Sequence, residues 1–104
     1  SDFIQSYFEM PLISMFQSPY PNPFSNQITM GFNLKRDMNF KINIFDILGR
    51  RVNMIEKKEV SSGRIFINWD GKDSYGKQLG SGVYFVLPIS SDEVDPIKFV
   101  LLKE

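Results

Sequence analysis

Hydrophobic residues along this chain recur at every second position, in short bursts separated by polar turns. Ile28, Met30, Phe32 and Leu34 share one parity within Gln27 to Leu34. Phe40, Ile42 and Ile44 repeat the pattern, and so do Ile65, Ile67 and Trp69. Alternation sends successive side chains to opposite faces of an extended chain, so each burst predicts a half-buried β-strand. Lys35 to Asn39 and Ser61-Ser62-Gly63 read as turns. Phe45 breaks the alternation, which predicts a bulge or corner leading into a turn over Asp46-Ile47-Leu48-Gly49-Arg50. Val52 and Met54 open the next strand, which becomes charged at Glu56-Lys57-Lys58-Glu59. Val83 to Ile89 and Ile97 to Leu102 are the last two strands, with the polar turn Ser90 to Asp95 between them.

Two stretches depart from this rhythm. The strand ending at Trp69 stops at Asp70-Gly71, and a polar loop with further glycines runs to Gly82 before Val83-Tyr84-Phe85. Gly and Asp tolerate the backbone of tight reversals, so the loop joins two strands. Near the start, Ser18-Pro19-Tyr20-Pro21-Asn22-Pro23-Phe24 holds three prolines in five residues. That spacing excludes a helix or a central strand and predicts an extended, polyproline-like lead-in, with Tyr20 and Phe24 pinning it to the edge of the core.

Residues 1 to 18 are less regular. Phe3, Ile4, Tyr7 and Phe8 have helix-like spacing that Pro11 limits, and Leu12 to Phe16 suits a first strand. The segment is taken as a leading strand or as linker from an upstream domain, and residues 19 to 104 as the domain itself. About seven or eight strands at roughly 8–15-residue spacing, with no helix, predict an all-β, antiparallel sandwich. Trp69, Phe40, Phe32, Tyr84 and Phe99 are its expected core aromatics.

Composition narrows the function classes. The chain has 104 residues, one domain's worth, with 42% hydrophobic residues, ten of them Phe. Formal net charge is zero, which argues against nucleic-acid or anionic-membrane binding driven by bulk charge. No apolar run is long enough for a transmembrane helix. No signal peptide is visible at the start. The absence of cysteine removes disulfides, thiolate metal sites and a Cys nucleophile. The absence of histidine removes the commonest general base and metal ligand. No cofactor, metal site or catalytic residue is expected.

Several groups invite a functional reading and have a plainer one. Asp70-Gly71-Lys72-Asp73 with Gly76 departs from calcium-loop spacing and is expected to be a turn whose carboxylates accept backbone N–H bonds. Asp92, Glu93 and Asp95 are expected at a charged hairpin tip. Arg50-Arg51 and Lys57-Lys58 are expected to be solvated and to discourage edge-to-edge pairing. Trp69 and Tyr84 offer aromatic faces for sugar stacking, but Trp69 is in phase with Ile65 and Ile67, which assigns it to the core. Phe66, out of phase, is the exposed candidate. Gly49, Gly63 and Gly82 are expected to serve turn geometry.

Taken in order, five motifs resemble one family. Tyr20-Pro21-Asn22-Pro23-Phe24 is similar to the opening of the C-terminal sorting domains of type IX secretion cargo. An alternating strand ending at Leu34 follows, then Asn43-Ile44-Phe45-Asp46-Ile47-Leu48-Gly49-Arg50-Arg51-Val52. Trp69-Asp70-Gly71 and Ser81-Gly82-Val83-Tyr84-Phe85-Val86 come next, and Phe99-Val100-Leu101-Leu102-Lys103 closes the chain. The Trp-Asp-Gly to Ser-Gly-Val-Tyr half also resembles the Ig-like domain of the flagellar hook-capping protein. Both resemblances imply an Ig-like sandwich.

The sorting family implies a non-catalytic export and surface-anchoring signal on a larger secreted protein. Its partners would be outer-membrane secretion machinery and the upstream cargo domain, and its destination the medium or the cell surface. Pro21, Asn22, Pro23, Gly49, Gly82, Tyr84, Phe99, Leu101 and Lys103 are the expected recognition residues. The edge at Ile97 to Lys103 is the expected surface, because an edge strand offers unpaired backbone groups. A structural, hook-capping-like module and a carbohydrate-binding accessory module remain the alternative readings.

Overall fold

The computed structural model describes residues 11–90 and 95–103. Among them the chain forms β1 (Ile13–Tyr20), β2 (Ile28–Leu34), β3 (Met38–Asp46), β4 (Arg51–Val60), β5 (Gly63–Trp69), β6 (Gly82–Pro88) and β7 (Ile97–Leu101). These strands make a three-stranded sheet in the order β1-β2-β5 and a four-stranded sheet in the order β4-β3-β6-β7. All strand pairs are antiparallel. The architecture is the antiparallel sandwich that the alternation predicts, consistent with the Ig-like form that the resemblance implies.

The core follows from parity. Ile28, Met30, Phe32 and Leu34 on β2 face Phe40, Ile42 and Ile44 on β3, with Ile67, Trp69, Tyr84, Val86, Phe99 and Leu101 filling the remaining inward positions. Burying a large apolar side chain fully contributes about 1.5–3 kcal/mol, so this alternation outweighs any local preference of the backbone. All five expected aromatics are buried there. The expected irregularity at Phe45 is present as a register shift between Ile44 and Phe45 against β4.

The outer face of the smaller sheet is packed locally. The Phe16 ring lies over Gly31, where an added Cβ would come within 2.6 Å of it. Phe66 meets the same ring edge-on at 5.3 Å, and the Arg64 guanidinium sits 4.5 Å from its centre. Phe66 is exposed, as its phase predicts, but it is engaged with Phe16.

Three expectations are corrected. Tyr20 is 71% exposed and pins nothing, whereas Phe24 is 2% exposed and belongs to the core. Residues 21–23 do not run as an extended polyproline-like lead-in; the Tyr20-Pro21 and Asn22-Pro23 peptide bonds are both cis. Phe24 is instead held against β7 by main-chain hydrogen bonds on both sides of it. Gly82 has no left-handed backbone, and a Cβ there would meet nothing within 4 Å, so turn geometry does not account for it. Gly49 and Gly63 do have positive φ. Phe3, Ile4, Tyr7 and Phe8 lie outside the described residues.

Strand direction places the loops. Tyr20 pairs with Thr29, Ile28 with Trp69, Asp46 with Tyr84 and Gly82 with Leu101. Residues 21–27, 47–50, 70–81 and 102–103 therefore meet at one end of the sandwich. Turns 35–37 and 61–62 lie at the other.

Candidate functional site

At the loop end, the segment after β1 closes over the last strand. The Val100 N–H donates to Asn22 Oδ1 at 2.9 Å. The Phe24 N–H donates to the Val100 carbonyl at 2.9 Å, and the Leu102 N–H donates to the Phe24 carbonyl at 2.8 Å. Phe24 and Leu101 thus form a short parallel bridge. Lys103 is tied from two sides. Its ammonium donates to the Ser25 carbonyl at 3.3 Å and to Asn26 Oδ1 at 3.2 Å. Its own N–H donates to Ser81 Oγ at 2.7 Å, and that hydroxyl lies 2.9 Å from the Lys103 carbonyl, which accepts from it.

This corrects the expectation of an open edge. Peptide groups in a strand alternate sides, so Val100 and Leu102 point away from β6. Residues 22–24 take those outward groups. By the same alternation, the outward groups that remain on β7 are those of Lys98.

The site residues read from the sequence divide into three sets. Pro21, Asn22, Pro23, Gly82 and Lys103 lie at the surface of this corner. Tyr84, Phe99 and Leu101 are buried beneath it and support it from inside. The Phe24 ring lies 5.8 Å from Trp69 and 5.9 Å from Phe99, and Trp69 lies 5.4 Å from Tyr84. Tilted and edge-on pairs at these distances bind the rings beyond their buried area. The Tyr84 hydroxyl donates to the Gly80 carbonyl at 2.7 Å. Burial raises its pKa, with the Asp46 carboxylate adding repulsion. Gly49 is at the same end of the molecule but in a different loop.

Ser25, Asn26 and Ser81 belong to the corner and were not singled out as site residues. Ser81 stands in the Ser-Gly-Val-Tyr motif, which is the signal that points to it. Asn26 has no local signal, because its partner is 77 residues away.

Beside the corner sit two loops with the same build. In Asp46-Ile47-Leu48-Gly49-Arg50, Asp46 Oδ1 accepts the Leu48 and Arg50 N–H groups at 3.0 and 2.9 Å. In Asp73-Ser74-Tyr75-Gly76-Lys77, Asp73 Oδ1 accepts the Tyr75 and Lys77 N–H groups, both at 2.9 Å. The Gly49 and Gly76 N–H groups each return to the aspartate carbonyl at 3.0 Å. Their φ values, 80° and 82°, are why glycine stands at both positions. The second loop touches β4 just past the first loop, where the Ser74 N–H donates to the Val52 carbonyl at 3.0 Å.

Asp70 Oδ1 accepts the Lys72 N–H, so the aspartates of this region act as the turn reading expects. Arg50 is more than a solvated strand end, since its Nε lies 2.8 Å from Asp46 Oδ2. The Arg50 N–H bond is the main cause of a lowered Asp46 pKa, opposed by partial burial and helped by the Arg50 side chain and the Leu48 N–H. Lys57 and Lys58 are exposed on β4. Of the acidic group, Asp95 is exposed, and Asp92 and Glu93 lie outside the described residues. No group of three or more acidic side chains placed to hold a metal occurs among the described residues.

The corner's amides, hydroxyls and one ammonium are joined to one another by hydrogen bonds. A family model, described as the secretion system C-terminal sorting domain, matches residues 18–102. No curated protein sequence matches the chain. Among solved structures, the fold is similar to part of latent PorU from Porphyromonas gingivalis, with TM-score 0.71, 23% identity and 92% of this chain covered. It is also similar to part of PorZ from the same organism, a surface component of the type IX secretion system, with TM-score 0.57, 22% identity and 86% covered. The match spans 10% of the PorU chain and 11% of the PorZ chain. FlgD from Xanthomonas campestris, a flagellar hook-capping protein, shares the fold with TM-score 0.62 and 15% identity over 96% of this chain and 74% of its own. The structural likenesses establish the sandwich, and the family match goes further: this chain belongs to the secretion system C-terminal sorting domains.

Proposed function

We propose that the module is the export and surface-anchoring address of a longer secreted protein, read by the outer-membrane machinery of a type IX secretion system. It works by protein–protein recognition without catalysis of its own, and the upstream cargo domain is its covalent partner. The observation that carries this reading is that three of the five motifs, Tyr20 to Phe24, Ser81 to Val86 and Phe99 to Lys103, meet at one corner of a chain whose residues 18–102 match the sorting-domain family. That corner joins Asn22, Phe24, Ser81 and Lys103 into a single hydrogen-bonded surface.

The folding unit in this proposal begins near Leu12. β1 supplies Ile13 to the core and pairs with β2, so a cut at residue 18 would remove most of a strand. The test is a fusion of residues 11–104 behind a periplasm-targeted fluorescent passenger. Export to the surface or medium, only in a strain with an intact type IX system, is the expected result. A folded module that keeps its passenger in the periplasm of that strain would overturn the reading.

A further inference from the structure

A strand at the edge of a sheet presents a row of unpaired N–H and C=O groups, and this sandwich guards three of its four edges. β7 is closed by Asn22 and Phe24, and β4 carries Glu56-Lys57-Lys58-Glu59. β1 shifts register twice against β2 and holds Pro19, which has no N–H to offer. β5 has none of these devices. Its seven residues pair with β2 without a register shift, and Arg64 is its one charged residue. The Lys35 N–H donates to the Leu12 carbonyl, so the odd-numbered residues of β2 bond β1, and the even-numbered ones, Ile28 to Leu34, bond Gly63, Ile65, Ile67 and Trp69. The main-chain groups of Arg64, Phe66 and Asn68 therefore point out of the sheet, and among the described residues nothing bonds to them.

We propose that β5 is a self-pairing edge, whose partner is the β5 of a second copy of this chain running antiparallel to it. A two-fold axis at Phe66 sets Phe66 opposite Phe66, Arg64 opposite Asn68 and Gly63 opposite Trp69, so the strand pairs over its whole length. Arg64, Phe66 and Asn68 then exchange both N–H···O bonds with their opposites, and every outward main-chain group of the strand finds a partner. The side chains agree with this register. Aromatic faces aromatic at the axis, the cation faces a neutral amide, and Ile65, only half-buried, faces Ile67 on the core side. An axis at Arg64 would instead oppose two guanidiniums and leave the end of the strand unpaired. The outer face is ordered before the copies meet, since Phe16 takes Phe66 edge-on at 5.3 Å and holds the Arg64 guanidinium 4.5 Å from its ring centre. Little side-chain freedom is then lost on pairing. The inference does not depend on the sorting role.

The test is sedimentation equilibrium of the full chain over a range of concentrations. The expected result is a reversible monomer–dimer equilibrium. Asn68→Arg sets an arginine opposite Arg64 in both halves of the interface and should raise the dissociation constant roughly tenfold. Adding Arg64→Glu to that variant places opposite charges across the axis and should return the dissociation constant to the parent value or below. Asn68→Glu alone should tighten the dimer, whereas Lys98→Glu, on the closed β7 edge, should leave it unchanged. Arg64, Asn68 and Lys98 are exposed, so the circular dichroism of every variant should match that of the parent. A dimer that ignores the charge at position 68, or one that Arg64→Glu fails to restore, would overturn the proposal. So would a chain that stays monomeric at millimolar concentration, which would leave the edge to an extended peptide of a different protein.

Discussion

Along β7, the outward peptide groups of Val100 and Leu102 end on Asn22 and Phe24. Along β4, at the other edge of the same sheet, the strand instead carries Glu56, Lys57, Lys58 and Glu59. Both edges face the hazard of pairing with a stray strand. One is closed by a piece of the same chain from far away in sequence, the other is defended by charge. A charged edge is a surface that resists partners. A closed edge is a joint, and its residues specify a shape as well as a stability. The Tyr20-Pro21-Asn22-Pro23-Phe24 segment thus has a physical task before any partner arrives, because it closes the outer edge of the last strand.

The comparison breaks most severely at Phe24. Phe24→Ala removes a buried ring that touches Trp69 and Phe99 and should cost roughly 3 to 5 kcal/mol in urea unfolding. A loss below about 1 kcal/mol would mean that the lock on β7 is superficial. Asn22→Ala is milder, about 1 kcal/mol, since one hydrogen bond to Val100 is lost. Hydrogen exchange sharpens the point. The Val100 and Leu102 amides should exchange more slowly than that of Lys98, and Asn22→Ala should speed Val100 selectively.

On β4, Lys57→Val with Lys58→Val should change unfolding free energy by no more than about 0.5 kcal/mol. It should nevertheless produce concentration-dependent association in light scattering, because the charge that guards the edge is gone. The smallest effect is at the turn that starts β4. Asp46 has a folded pKa below the ordinary carboxylate range, so its contribution is complete above that range and is lost as pH falls through the folded pKa. The melting difference between the parent and Asp46→Asn should be full at neutral pH and shrink in acid. A difference that does not vary with pH would show that the charge is irrelevant to the turn.

Most of the fold was legible in the sequence because parity is a direct consequence of burial. Ile28 to Leu34 and Phe40 to Ile44 need no knowledge of their partners to show their inward face. The bulge at Phe45 was visible as a break in that parity. The corner was legible only in part. The motifs named most of its members, but their contacts join residues up to 78 positions apart, and no local pattern encodes such a pairing. Three prolines suggested an extended lead-in, whereas the bonds from Asn22 and Phe24 to β7 decide the path. Tyr20 and Phe24 looked equivalent as aromatics flanking that stretch. Only tertiary packing separates one at the surface from one in the core. The likeness between the two aspartate loops lay in plain sight as Asp46 to Arg50 and Asp73 to Lys77, since the same turn chemistry selects the same residue types.

The central claim, that the closed corner is the surface export reads, is tested most directly at Lys103. Its side chain is exposed and, among the described residues, bonded only to Ser25 and Asn26, so Lys103→Glu should leave the melting temperature nearly unchanged. With the passenger fused to residues 11–104, surface fluorescence in a type IX-active strain should fall markedly for Lys103→Glu while the folded passenger accumulates in the periplasm. Export at the parent level from this folded variant would contradict the account.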